Sequence, residues 1–411
     1  MVLPGLVDPH VHFYEDFETW TTGTSAAAGG GVTSVVEMPF SLPATHDVES
    51  LNYKIRKATR ESIVDFGFHA EATPLNLEEI GELAKEGVVS FKIFHPKIGD
   101  HISTPEDDAA YLQMLTIIAK NNALASVHAE NKTAIEALQH KFIRSGRIAP
   151  SEFPKARPVL AEVTEVTRSL LFAKITQLQI YFVHLSTGSA ASIIANVKKN
   201  PARNEKAVFT ETCPQYLLLN SSVYADPDIG PYARIIPPLR KEEERIKLWK
   251  HLFIGTIDVI ATDHCPMSIQ VKEMGRTNIF RANNWIPRLE TALSLMLTSV
   301  NKGTISLAKL VQLMASQPAK IMGYYPTKGV IQPGSDADLV VIDLKKEKKI
   351  TIDELHTKGE FTLYEGWKVQ GIPEMTISRG KIVMKNGYLG DIVGKPAHGK
   401  YLKSEKSKIE V

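Results

Sequence analysis

The chain has 411 residues, 43% of them hydrophobic and 23% charged, with a formal net charge of +2. That balance gives no electrostatic reason to expect nucleic acid or a membrane surface as partner, no uncharged apolar run is long enough to span a bilayer, and no signal segment opens the chain. Two cysteines, Cys213 and Cys265, are too few for a disulfide framework, so a cytoplasmic protein is the expectation.

In chain order, short β-rich apolar runs recur at 6–13, 32–38, 64–70, 88–94, 124–130, 179–185, 207–213 and 258–264. Between them lie segments with apolar residues at helical spacing, such as NLEEIGELAKEG and EEERIKLWKHLF. Eight strands alternating with helices predict an α/β fold of the (β/α)8, TIM-barrel type over residues 1–325. From about residue 326 the texture changes. KGVIQPGSDADLVVIDL, FTLYEGWKVQGI and MTISRGKIVMKNGYLG read as short strands joined by Gly, Pro and Asp turns. They predict a small β domain over 326–391, followed by a mobile Lys-rich tail over 392–411.

The first run, LVDPHVHF, carries His10 and His12 two residues apart. Residues i and i+2 of a strand point to the same side, so the two imidazoles can reach one point, which is half of a transition-metal site. Alone, the pair also fits two polar residues on a strand face. Further along, Lys92 falls on the fourth predicted strand, His128 on the fifth, His184 on the sixth and Asp263 on the eighth. All stand toward the C-terminal ends of their strands, the face on which barrel enzymes build active sites. A Lys inside VVSFKIF is costly as a merely structural residue, because a buried ammonium needs a partner. Six such residues from five strands point to a metal centre.

In that arrangement the sequence resembles the amidohydrolase superfamily, in its cyclic amidohydrolase branch of hydantoinases (dihydropyrimidinases), allantoinases and dihydroorotases. The similarity runs from LPGLVDPHVHF to SRGKIVMKNG and includes SVHAEN, FVHLSTG, ETCPQYL, PPLR, ATDHCP, QPAKIMG and GSDADLVVID. The resemblance implies two divalent ions, zinc by family habit. A carbamate on Lys92 would bridge them; His10, His12 and Asp263 would hold the more buried ion, and His128 and His184 the other. Two cations about 3.5–4 Å apart can share a hydroxide and polarise a carbonyl. Asp263 would shuttle a proton from that water to the leaving ring nitrogen. The resemblance further implies a small cyclic ureide or amide as substrate and a homodimer or homotetramer. Relatives carry a longer segment ahead of the HxH strand that completes the small β domain. A β-sandwich lacking its N-terminal contribution is therefore expected.

Four positions bear on the ring. Tyr14 stands where dihydroorotases place an Arg for the substrate carboxylate, and a phenol does not replace a guanidinium fork. Dihydroorotate is thus disfavoured unless another Arg, such as Arg288 or Arg276, substitutes. Lys97 stands where hydantoinases usually have a Tyr, Ile236 where a Ser or Asn precedes Pro-Pro, and Asn284 where the family's ring-binding Asn falls. VVEMPFSLPATHDVES and KARPVLAEVTEV look more like allantoinase; TDHCP, KEMGR and YEGWKVQG look more like hydantoinase. The reading is a hydrolase of a five-membered ureide ring, allantoin ahead of a 5-substituted hydantoin, with dihydropyrimidinase and dihydroorotase as alternatives. Resemblance also admits the non-catalytic dihydropyrimidinase-related scaffolds. Those have lost metal ligands, whereas this chain keeps all six positions.

Overall fold

The computed structural model describes residues 1–95, 104–105, 107–199, 207–387 and 390–405. After a short strand β1 (Val2–Pro4), the barrel strands are β2 (Leu6–Val11), β3 (Val32–Glu37), β4 (Asp65–Phe68), β5 (Ala70–Glu71), β6 (Phe91–Phe94), β7 (Leu124–His128), β8 (Gln179–Phe182), β9 (Val208–Thr212) and β10 (Val259–Ile260). All pair in parallel, as β2-β3-β4 and β5-β6-β7-β8-β9-β10. β4 and β5 are one barrel strand interrupted at His69, whose N–H still donates to the Glu37 carbonyl at 2.9 Å. The ring closes through a parallel bridge between Val11 and His264, with His12 N–H donating to the His264 carbonyl at 2.8 Å. The eight strands expected from the apolar runs are therefore all present.

Local chemistry explains the connecting helices. Helix Glu242–Phe253 matches EEERIKLWKHLF and places three glutamates in its first turn and Lys250 and His251 in its last, complementing the helix dipole. NLEEIGELAKEG forms only the short helix Ile80–Lys85, stopped by Gly87 at φ +88°.

Beyond the barrel, β11 (Leu339–Lys349), β12 (Lys368–Ser378), β13 (Lys381–Lys385) and β14 (Asp391–Ile392) form an antiparallel sheet. β1 completes it, Val2 opposite Val341. Among the described residues this is one five-stranded sheet, ordered β1-β11-β12-β13-β14, where a sandwich was expected. The sheet is held on barrel helices instead of a second sheet. Gln370 N–H donates to Thr298 Oγ1 at 2.8 Å, Asn301 Nδ2 to the Gln370 carbonyl at 2.9 Å, and Thr376 Oγ1 to the Ala28 carbonyl at 2.7 Å.

The described part of the tail, to residue 405, is bonded to the barrel where a mobile segment was expected. Phe66 N–H donates to the Lys400 carbonyl (3.0 Å) and Leu402 N–H to the Phe66 carbonyl (2.7 Å). Ser404 N–H donates to the Gly87 carbonyl (2.9 Å). Residues 399–405 thus wedge between the N-terminal ends of β4 and β6. Lysine content misled because the backbone, with Tyr401 packed on Phe66 and Phe68, makes the contacts.

Candidate metal centre

At the opposite, C-terminal mouth, His10 Nε2 and His12 Nε2 lie 3.3 and 3.4 Å from one atom, Asp263 Oδ1. The three side chains are buried, and their ligand atoms lie within 4.8 Å of one another. His184 continues the cluster, its ring 5.3 Å from that of His10 and 4.5 Å from that of His128. Phe94 stacks on His128 at 4.6 Å, and Lys92 Nζ sits 5.0 Å from the Phe94 ring centre. All six polar residues singled out in the sequence are thus brought together.

The strand ladder stops short of the two residues that must turn inward. β8 ends at Phe182 and β10 at Ile260, although the apolar runs continue to 185 and 264. His184 and Asp263 adopt positive φ, +38° and +53°. Such backbone is uncommon away from glycine and clusters at functional sites.

Neighbours fix each imidazole. Glu211 Oε1 lies 2.7 Å from His10 Nδ1 and accepts the His184 N–H at 3.0 Å, while Tyr181 donates its hydroxyl to Oε2 at 2.7 Å. Glu130 Oε2 holds His128 Nε2 at 2.8 Å and is itself held by Arg157. Carboxylates in this position set a ligand's tautomer and orientation. Arg288 Nη2 donates to Asp263 Oδ2 at 3.1 Å and also to the Asp263 carbonyl. The His264 ring receives the Arg288 N–H at 2.9 Å and lies against Glu18.

Burial pushes His10, His12 and His184 below the ordinary imidazole range, toward the neutral form that binds metals. Burial alone would raise Asp263, but Arg288 and then His10 outweigh it and hold the carboxyl well below its usual value. Burial brings the Lys92 amine down to about 7, against the pull of Glu211 and Asp263.

Whether a metal fits can be judged from what these groups lack. Lys92 Nζ, His128 Nδ1 and His184 Nδ1 are buried with no hydrogen-bond partner. Such orphans are costly unless something absent from the protein satisfies them. Neutral nitrogen donors beside an ionised carboxylate are a donor set for zinc or a similar divalent ion. The residues fit the group. The second acidic cluster, Asp65, Asp336 and Asp338, already surrounds the Lys328 ammonium at 2.5–2.8 Å.

The other sequence candidates separate. Tyr14 stacks over His12 at 6.1 Å. Asn284 is half-buried with an unpartnered Oδ1. Ile236 packs into the apolar core, and Lys97 lies outside the described residues. Arg288 is engaged by Asp263, and Arg276 by Glu273 on an exposed turn. Sequence reasoning missed Glu211, Glu130 and Trp285, whose ring lies 5.5 Å from that of His12. The carboxylates left a signal, since buried imidazoles need partners and both carboxylates sit in the quoted ETCPQYL and SVHAEN motifs.

A model of the amidohydrolase family matches residues 1–383. The chain belongs to the amidohydrolase family. This amidohydrolase is 33% identical to L-hydantoinase of Paenarthrobacter aurescens, over 94% of this chain and 84% of that protein. It is 34% identical to D-phenylhydantoinase of Escherichia coli O1:K1, over 98% and 87%. Its structure is similar to L-hydantoinase (dihydropyrimidinase) from Arthrobacter aurescens at TM-score 0.93 and 32% identity, covering 98% and 89% of the two chains. It is also similar to dihydropyrimidinase from Brevibacillus agri NCHU1002 at TM-score 0.90 and 31% identity, covering 98% and 88%.

Proposed function

We propose that this amidohydrolase opens a hydantoin or dihydropyrimidine ring, with His10, His12, Lys92, His128, His184 and Asp263 as ligands of two divalent ions and Asp263 as proton shuttle. The convergence of His10 and His12 on Asp263 Oδ1 at the barrel mouth carries the reading. The enzyme is a metal-dependent hydrolase of cyclic amide C–N bonds, as its family membership and its similarity to hydantoinases over nearly the whole of this chain support. Those relatives are named for hydantoins, which moves hydantoin ahead of allantoin in the substrate order.

When bound, the ions acidify water and polarise the amide carbonyl. The chain's own residues do the rest. Arg288 occupies Asp263 Oδ2, leaving Oδ1 turned toward the two imidazoles. That oxygen can take the proton of the attacking water and deliver it to the departing ring nitrogen. The uncharged Lys92 amine, favoured by burial, can attack CO2, forming a C–N bond and releasing a proton. This converts a misplaced cation into an anionic ligand. Glu211 and Glu130 hold His10 and His128 in the ligating tautomer.

The test measures bound metal and turnover on hydantoin, dihydrouracil, allantoin and dihydroorotate. Two metals per chain and hydrolysis of hydantoin or dihydrouracil are expected. Dihydroorotate should be poor, because Tyr14 is no carboxylate clamp and Arg288 is committed to Asp263. Asp263→Asn should lower kcat by about 10²–10⁴-fold. A metal-free, well-folded protein inert toward every ring would mean a scaffold, and near-normal turnover by Asp263→Asn would remove the shuttle.

A further inference from the structure

We infer that this amidohydrolase carries a second ligand site, at the end of the barrel away from the metal centre, which takes a phosphate monoester with an apolar body. The turn from β12 to β13, the chain over 393–400 and Thr59 on helix Val48–Glu61 enclose a cleft of about 650 Å³. That is the size of a small-molecule site. The Lys400 carbonyl accepts the Phe66 N–H at 3.0 Å, which places the cleft beside the N-terminal ends of the barrel strands.

Charge in the cleft is one-sided. Arg379, Lys381, Lys395, His398 and Lys400 line it, and among the described residues no carboxylate does. The guanidinium is committed, since Arg379 Nε donates to both oxygens of Asp65 at 3.1 Å and Nη2 donates to the His398 carbonyl. Lys381, Lys395 and Lys400 are different. All three are exposed, and among the described residues their ammoniums have no acidic partner. In a chain of net charge +2, three unpaired lysines around one concave wall concentrate positive potential, which low-dielectric walls focus. The His398 imidazole registers that field: burial first, then Arg379 and more weakly Lys381, push it below its ordinary range. Lysines are point charges that suit phosphate oxygens without fixing one orientation.

The rest of the wall is apolar. Val383 is buried, while Ile382 and Val393 are 45% and 38% exposed, and Pro396 and Ala397 extend the surface. An inorganic anion would leave these side chains in water; an ester with an apolar body would cover them. The frame is set before a ligand arrives. Val393 and Gly394 N–H both donate to the Val383 carbonyl, at 3.0 and 2.9 Å. Lys400 N–H donates to Asp65 Oδ1 at 2.8 Å and Arg379 N–H to Asp338 Oδ1 at 2.7 Å. The lysines thus project from backbone that is already ordered, which lowers the cost of binding.

Calorimetric titration of the metal-loaded enzyme with phenyl phosphate and with inorganic phosphate tests the site. Phenyl phosphate should bind once per chain, roughly threefold or more tighter than inorganic phosphate, and added salt should weaken both. The double variant Lys381→Gln, Lys400→Gln should weaken phenyl phosphate about tenfold. Lys250→Gln, which removes an exposed lysine from helix Glu242–Phe253, should leave it unchanged. Val393→Ser should shrink the advantage of the phenyl ester while inorganic phosphate binds as before. Thermal melting of each variant checks the fold. Binding that survives the double substitution, as it would for an anion seated on the metal centre, overturns the inference. So do equal weakening by Lys250→Gln, equal affinity for the two probes, and the absence of saturable binding at millimolar concentration.

Discussion

Glu211→Gln isolates what a buried carboxylate does for the imidazole of His10, a proposed metal ligand. Glu211 accepts from three donors: His10 Nδ1 and His184 N–H at Oε1, and the Tyr181 hydroxyl at Oε2. A glutamine keeps the shape. Its carbonyl takes the Oε1 position, where both partners are donors, and its amide faces the Tyr181 hydroxyl, which can turn to accept. What disappears is the carboxylate's negative charge facing His10; because burial raises Glu211 to about 8, the comparison is made above that pH. A hydrogen bond to a charged group contributes about 1.5–3 kcal/mol against about 0.5–1.5 kcal/mol for a neutral one. The loss is therefore about 1–1.5 kcal/mol, or roughly tenfold in metal affinity, at the lower edge of the 10–100-fold typical of such partners. Titration with graded chelators, with metal counted by mass spectrometry, reads the affinity, and thermal melting of the stripped protein checks the fold. Glu211→Ala is the contrasting case. It strands three buried donors at about 1–3 kcal/mol each and should compromise folding itself. Unchanged metal retention in a well-folded Glu211→Gln protein would refute the assignment of His10 as a ligand oriented by this carboxylate.

Two further outcomes are expected. Lys92→Ala should lose metal and activity together, and acetate or propionate with zinc should restore part of both by placing a free carboxylate in the vacated space. Retention of both metals would leave Lys92 as a buried structural amine. Lys328→Met should cost about 3–5 kcal/mol in denaturant unfolding, because Asp65, Asp336 and Asp338 would be left without the ammonium they surround. Those carboxylates, Asp65 and Asp338 foremost, outweigh burial and raise Lys328 above the ordinary 10.5. Its contribution is accordingly full below pH 10.5 and is lost as pH rises through the folded value.

The barrel was legible because strands such as LVDPHV and LASVH are buried on both faces and read as short apolar runs. The proposed ligands stood out for the complementary reason, since a His or Lys in such a run is expensive without a purpose. What stayed hidden depends on chain meeting chain at long range. Nothing near Val2 announces that it pairs with Val341. Nothing in KYLKSEKSK announces that its backbone will bond to Phe66. Arg288 is the sharper case. As a sequence position it was a candidate clamp for a substrate carboxylate; only the fold shows its guanidinium engaged by Asp263.

The same long-range geometry explains how the site tolerates two backbone outliers. Left-handed conformation costs a non-glycine residue about 1–2 kcal/mol, and His184 and Asp263 both adopt it. Each is held by the side chain that serves its chemistry. Glu211 Oε1 accepts the His184 N–H while it also orients His10, so one carboxylate on β9 couples the ends of β2 and β8. Arg288 Nη2 grips the Asp263 carbonyl and Oδ2 together, fixing the turned backbone and the carboxylate as one unit. A regular strand would spread these side chains by the pleat, with alternate residues on opposite faces. Breaking the ladder at Phe182 and Ile260 lets residues from separate strands converge on a single point, and the buried ion pairs keep that convergence in place before any ligand arrives.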